Sequence, residues 1–226
     1  MALLEVCCGN LESVDAAVLG GARRIELCAD LELDGLTPPM AWLRAVRERY
    51  PDLTVHVLIR PRDGDFVYTL DEAELMALQI ESALTFGADG IVVGCLTEEG
   101  DVDFALMAQL VSLVSLRASI TFHRAFDRVR RPFEALEQII GLGCDRILTS
   151  GQAPTAEAGV DMLRNLNRQA GGRIIILPGG GVTPENATRI LDLSGCTEIH
   201  ASASETVDGN KVTDAKKVST LISRLA

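Results

Sequence analysis

Short apolar runs rich in β-branched residues recur about every 25 to 30 residues along this chain, each followed by a longer stretch with apolar positions at helical spacing. The runs predict strands over Leu3–Cys7, Arg24–Cys28, Thr54–Arg60, Gly90–Gly94, Ser119–His123, Arg146–Thr149, Arg173–Pro178 and Glu198–Ala201. The stretches between them predict helices over Glu12–Leu19, Pro39–Tyr50, Asp71–Phe86, Asp103–Ser115, Pro132–Gly141, Ala156–Ala170 and Pro184–Leu193, with Asp214–Leu225 last. Several of these helices run into glycine, as at Gly20-Gly21, Gly87 and Gly143, where helix C-termini favour it. Repeated βα units define an α/β protein, and eight of them predict a parallel (β/α)8 TIM barrel occupying residues 1–226 as a single domain. A doubly wound open sheet alternates in the same way, but it usually has about five or six strands. In a barrel the long links 29–38, 61–70 and 202–213 follow strands two, three and eight and surround the active face.

Composition sharpens this picture in three respects. A chain that is 47% hydrophobic but only 4% aromatic must build its core from Val, Ile, Leu and Ala, which suits parallel strands covered by helices. A formal charge of −11 repels polyanions and argues against nucleic acid as a partner. No apolar run reaches the roughly 18 residues of a bilayer span, and no basic leader precedes Leu3, so the protein is expected to be cytoplasmic and free of the membrane. Its six cysteines lack C-x-x-C spacing and read as free thiols of a reducing compartment.

Period-two alternation decides which side chains enter the barrel. With Leu4, Val6, Ile25 and Leu27 turned to the helices, strands one and two send Glu5, Cys7, Glu26 and Cys28 inward, the same Glu-x-Cys pattern on neighbouring strands. Strand three sends in His56, Leu58 and Arg60, strand five Thr121 and His123, and strand eight Glu198, His200 and Ser202. Glu5 and Glu26 can be read as a buried ion-pair network or as catalytic carboxylates. Cys7 and Cys28 can be read as small core residues or as metal ligands. Arg60, His123 and Arg124 stand at strand ends, where ligands arrive, with Asp65 and Asp127 placed to orient them. The run Pro178-Gly179-Gly180-Gly181 after strand seven faces Ser202-Ala203-Ser204 after strand eight. Together they predict an anion site made by Gly180, Gly181, Ser202 and Ala203, with a short helix starting near Ser202.

These residues spell a wider pattern: Glu5-Val6-Cys7, Gly20-Gly21-Ala22-Arg23-Arg24-Ile25-Glu26-Leu27-Cys28, Gly35-Leu36-Thr37-Pro38, Ile59-Arg60-Pro61-Arg62-Asp63-Gly64-Asp65-Phe66, Thr121-Phe122-His123-Arg124-Ala125-Phe126-Asp127 and Leu148-Thr149-Ser150-Gly151. From Leu3 to about Ser202 the chain resembles the CutC family, named for copper homeostasis. The resemblance implies a cytoplasmic TIM barrel, sometimes a homodimer or higher homo-oligomer, proposed to bind Cu(I), with Cys7 and Cys28 as the mapped ligands. The segment Glu205 to Thr213 is shorter than the family pattern, which implies a more open active face.

Two functions of different class follow. One is copper homeostasis through Cu(I) bound at the barrel mouth by Cys7 and Cys28. The other is an enzyme acting on a small anionic or phosphorylated ligand, with His123 as acid/base near its working pH, Arg60 and Arg124 holding the anion, and Asp65 or Asp127 orienting them. A scaffold role through helix faces bearing Trp42 or Met107 is a third reading, against which both side chains are expected in the helix-layer core.

Overall fold

The computed structural model describes residues 2–207 and 210–226. Strands and helices alternate as β1 (Leu3–Cys8), α1 (Leu11–Leu19), β2 (Arg24–Leu27), α2 (Met40–Arg49), β3 (Thr54–Leu58), α3 (Leu70–Thr85), β4 (Gly90–Val93), α4 (Phe104–Val114), β5 (Ser119–Phe122), α5 (Pro132–Gly141), β6 (Arg146–Thr149), α6 (Val160–Ala170), β7 (Ile175–Pro178), α7 (Ala187–Ser194) and β8 (Glu198–Ala201). A hairpin of β9 (Ser204–Val207) and β10 (Asn210–Thr213) precedes the last helix, α8 (Ala215–Leu225). The first eight strands form one parallel sheet in the order β7-β6-β5-β4-β3-β2-β1-β8. Its two ends meet side by side, so that a Cβ on Gly179, just past β7, would come within 3.3 Å of the Cβ of His200 in β8. The result is a nearly closed (β/α)8 barrel whose last seam carries no backbone ladder.

Local sequence explains why the helices start where they do. Asn10, Asp103 and Asp214 each accept a backbone N–H from three residues on, and Thr69 with Glu72 forms a reciprocal capping box at α3. Two starts fall later than predicted. Ahead of α6, Thr155 Oγ1 accepts from the Ala158 N–H and Ala156 donates to Gly180 O, which fixes this segment as a turn. Ahead of α7, the Thr183 N–H donates to Asn186 Oδ1 in the same manner.

Alternation places the side chains as expected. The helix-facing set, with Val6, Ile25, Val57, Ile91, Phe122, Ile147, Ile176 and Ile199, is buried against the helices, where Met107 joins it and Trp42 packs partly buried. Inside the ring, Cys7, Cys28, Leu58 and Val92 form a separate small apolar cluster. Below it lies a charged layer. Parallel register sets Glu5 beside Arg24 and His200, Glu26 beside His56, and His56 beside Gly90.

Two glycines of β4 and its extension make room for imidazoles. A Cβ at Gly90 would lie 2.4 Å from His56 Cδ2, and one at Gly94 would lie 2.7 Å from His123 Nδ1. We therefore expect Gly90→Ala to lower stability by about 1–3 kcal/mol through overpacking. Gly141→Ala, in α5 with nothing within 4 Å of the new methyl, should instead be neutral or gain up to about 1 kcal/mol. Thermal or urea unfolding of the two variants, run side by side, decides it; equal midpoints would refute the steric account.

Candidate functional site

A cavity of about 330 Å³ opens at the C-terminal ends of the strands. Cys7, Glu26 and His200 form its floor, Leu58, Leu148 and Phe66 its apolar wall, and Arg60, His123, Arg124, Asp127, Gly180, Gly181 and Ser202 contribute to its rim and sides. Of the predicted inward residues, Cys7, Glu26, Leu58, Arg60, His123, His200 and Ser202 line the cavity, whereas Glu5, Cys28, His56, Thr121 and Glu198 are buried without lining it.

The floor rests on a buried ionic network. Glu5 is fully buried; it hydrogen-bonds with His200 Nδ1 at 2.9 Å and is ion-paired with His56 Nδ1 at 2.9 Å and Arg24 Nε at 2.8 Å. Arg24 also bridges to Glu198, which Arg146 meets from the other side at 2.9 Å. Burial alone would raise the Glu5 carboxyl, but His200, His56 and Arg24 outweigh it and hold it well below the ordinary range. His200 shows the mirror image: burial opposes its charge, yet Cys7, Glu5 and Glu26 push it well above an ordinary histidine. Glu26, half-way up, is raised by burial to about 7, with the charge of His200 restraining the rise and that of Glu5 adding to it.

Above this network the Cys7 and Cys28 sulfurs are 3.6 Å apart, and Cys7 Sγ lies 3.9 Å from Glu26 Oε1. The hydrogen bond with Cys28 and burial push the Cys7 thiol well up. For Cys28 the bond from Cys7 favours thiolate, but burial and Glu26 leave it raised as well. Ligand atoms of Cys7, Glu26 and His200 all lie within 4.8 Å of one another, so thiol, imidazole and carboxylate converge on one point.

The rim is held differently. Arg60 donates through Nη1 to Leu33 O and Gly35 O and through Nη2 to Gly64 O, so loops two and three are tied to it. His123 accepts the Ala125 N–H on Nδ1 at the start of a 3₁₀ turn, Arg124–Arg128, that the hydrophobic pattern does not reveal. Burial and the nearby Arg60 charge push His123 down to about 3. It is therefore neutral at physiological pH, and the expected acid/base with a pKa near working pH is corrected to a neutral imidazole. Asp127 is fully engaged: it accepts from Arg124 Nε at 2.8 Å and from the Ser150 and Gln152 N–H groups, which knots the loops after β5 and β6.

Other expectations need correcting. Asp65 is exposed, pairs with Arg62 at 2.9 Å and stays outside the cavity, because it belongs to a self-contained turn closed by the Val67 N–H. No helix begins near Ser202. Ala203 has a left-handed φ of 46° and leads into the β9–β10 hairpin, which turns it away from the cavity, while Ser202 Oγ bonds to Ser204 Oγ at 3.0 Å. Of the short segment after β8, residues 208 and 209 lie outside the described residues, and the strands flanking them pair as the β9–β10 hairpin. The hairpin is anchored on α1 through Thr213 N–H to Ser13 Oγ, and Lys211 lines the cavity. Lys211, Arg128, Asp34 and Phe66 escaped the sequence reading because they lie outside the eight barrel strands: Asp34 and Phe66 in loops, Arg128 in the 3₁₀ turn and Lys211 in β10 of the hairpin. The Asp208-Gly209 dipeptide between short alternating runs was the available signal for the hairpin.

Fold and site together define a (β/α)8-barrel protein with a pocket at its C-terminal mouth, floored by Cys7, Glu26 and His200, with the Cys28 thiol next to Cys7. The chain belongs to the CutC family, whose sequence pattern matches residues 2–205. It is 49% identical over 203 residues to a CutC family protein of Bacteroides thetaiotaomicron, covering 90% of this chain and 81% of the relative. The human copper homeostasis protein cutC homolog is 43% identical over an alignment covering 97% of this chain and 87% of that protein. The crystal structure of CutC from Streptococcus agalactiae superposes with a TM-score of 0.85 at 30% identity, covering 89% of this chain and 99% of that one.

Proposed function

We propose that this protein takes part in copper homeostasis by binding Cu(I) at the thiol pair Cys7–Cys28 at the base of the barrel mouth. The observation that carries the reading is the 3.6 Å approach of the two sulfurs beneath an accessible cavity. Soft thiolates select Cu(I) over the hard cations of the cell. His200 and Glu26 beside Cys7 offer a further nitrogen and oxygen donor. All six cysteines are free and buried, which suits work in a reducing compartment such as the cytoplasm. Bacterial and human relatives that carry the CutC name support the same reading.

Titration of reduced protein with Cu(I) against a competing chelator tests it. Loss of outer-shell support alone typically costs 10- to 100-fold in metal affinity, so removing both sulfurs should cost at least about 100-fold. The double variant Cys7→Ser with Cys28→Ser is therefore expected to give up Cu(I) to the chelator, and parental affinity in that variant would refute the assignment. Thiol ligation also releases protons, so affinity should rise with pH.

A further inference from the structure

Arg60 is only 4% exposed, yet no carboxylate among the described residues pairs with it. A guanidinium has five N–H groups, and three are taken by the carbonyls of Leu33, Gly35 and Gly64. Those left are the Nε–H, which is buried without a partner, and one on Nη2. Neighbouring N–H groups of this kind are the fork that carboxylates and phosphates accept bidentately. A buried cation lacking a counterion is expensive to keep, and a fold that clamps one by three carbonyls at a cavity wall holds it ready for an anion.

His123 tells the same story from the end of β5, two strands along the ring from β3. Its Nδ1 accepts from Ala125, so the ring proton of the neutral imidazole sits on Nε2, and Nε2 is buried with no partner. Phe66 packs against both groups, 5.1 Å from Arg60 and 4.9 Å from the His123 ring, and so holds them on one side of the mouth. Opposite them, the Gly180 and Gly181 N–H groups donate to no described residue, and both glycines line the cavity. Arg128 and Lys211 add positive charge at the rim, against the −11 of the whole chain. Such local donors are what an anion needs in an unfavourable net field.

We propose that the mouth cavity is a binding site for a small organic oxyanion, carboxylate or phosphate, gripped by Arg60 and the Nε2–H of His123. The glycine loop after β7 serves the far side of the ligand. At about 330 Å³ the cavity accommodates a metabolite rather than a polymer. The site does not depend on the copper reading, since neither cysteine takes part in the grip.

The test uses the full chain, copper-free and reduced. It is titrated calorimetrically with sodium malonate and, separately, with sodium phosphate, at ionic strength held constant with chloride. At least one probe should bind saturably and shift the His123 ring signals in long-range ¹H–¹⁵N spectra. Arg60→Lys keeps the charge but loses the fork, and His123→Asn keeps the acceptor for Ala125 but loses the ring donor. Each should weaken binding at least tenfold, whereas Gly141→Ala, in α5 and outside the cavity, should bind within twofold of the parent. Malonate alone or phosphate alone would support the site and name its anion. Failure of both probes, or parental affinity in His123→Asn, would overturn the proposal, and the latter readout stands even where Arg60→Lys does not fold.

Discussion

Between pH 7 and pH 4.5 the protein will lose about 2–3 kcal/mol of folding stability through His123 alone. Unfolded, this histidine takes up its proton near pH 6.5; folded, burial and Arg60 delay protonation to about 3. Within that window the unfolded chain binds more protons than the native one, so acid favours unfolding. The contribution is absent above pH 6.5, grows as pH falls, and levels off below about 3 at roughly 5 kcal/mol. His123→Asn abolishes the titration while preserving the cap on the 3₁₀ turn, since asparagine accepts the same N–H. Urea unfolding of parent and variant at pH 7 and 4.5 should give a clearly flatter pH dependence for the variant. Parallel curves would mean that His123 is not held neutral by its surroundings.

A second large effect is expected at the opposite end of the cavity. Glu5→Gln keeps the shape of a fully buried side chain but removes the charge shared by Arg24, His56 and His200. Breaking a buried ion pair from one side typically costs about 3–5 kcal/mol, because the partner charge stays behind without compensation. Arg24 retains Glu198, which tempers the loss, whereas His200 loses its nearest counter-charge and keeps only the carboxylate of Glu26 at 4.0 Å. The variant should unfold at markedly lower denaturant at pH 7, and a loss under about 1 kcal/mol would show that the network stabilises the barrel little.

The barrel and the floor of its mouth were legible in the sequence because both rest on periodicity. In a two-faced strand one apolar stripe identifies the other face, so Ile25 and Leu27 against the helices place Glu26 and Cys28 within the ring. The rim obeys no such rule. Lys211 reaches the cavity only because a hairpin returns along α1, and Arg128 because a 3₁₀ turn carries it past Phe66. Asp65 and Ala203 were misplaced for the same reason: a loop's local turn, closed by Val67 in one case and by a left-handed residue in the other, decides where a side chain points. Periodicity also places a histidine in the barrel without saying whether it is charged there. The opposite states of His200 and His123 follow from neighbours far apart in sequence.

The pairing of imidazoles with the glycines beside them has a consequence for how this chain can change over time. His56 occupies the space above Gly90, and His123 that beside Gly94, so neither glycine can acquire a side chain while its histidine stays. A methyl at Gly90 should become tolerable once His56 is shortened to alanine, with the combined cost well below the sum of the separate ones, as expected for contacting residues. Gly90 and His56 should thus respond to substitution as one unit. The bare Cα of Gly90 in β4 marks where His56 of the neighbouring strand must fit, whereas at Gly94, just past β4, a side chain would still meet Phe122 Cζ at 3.2 Å after His123 was shortened.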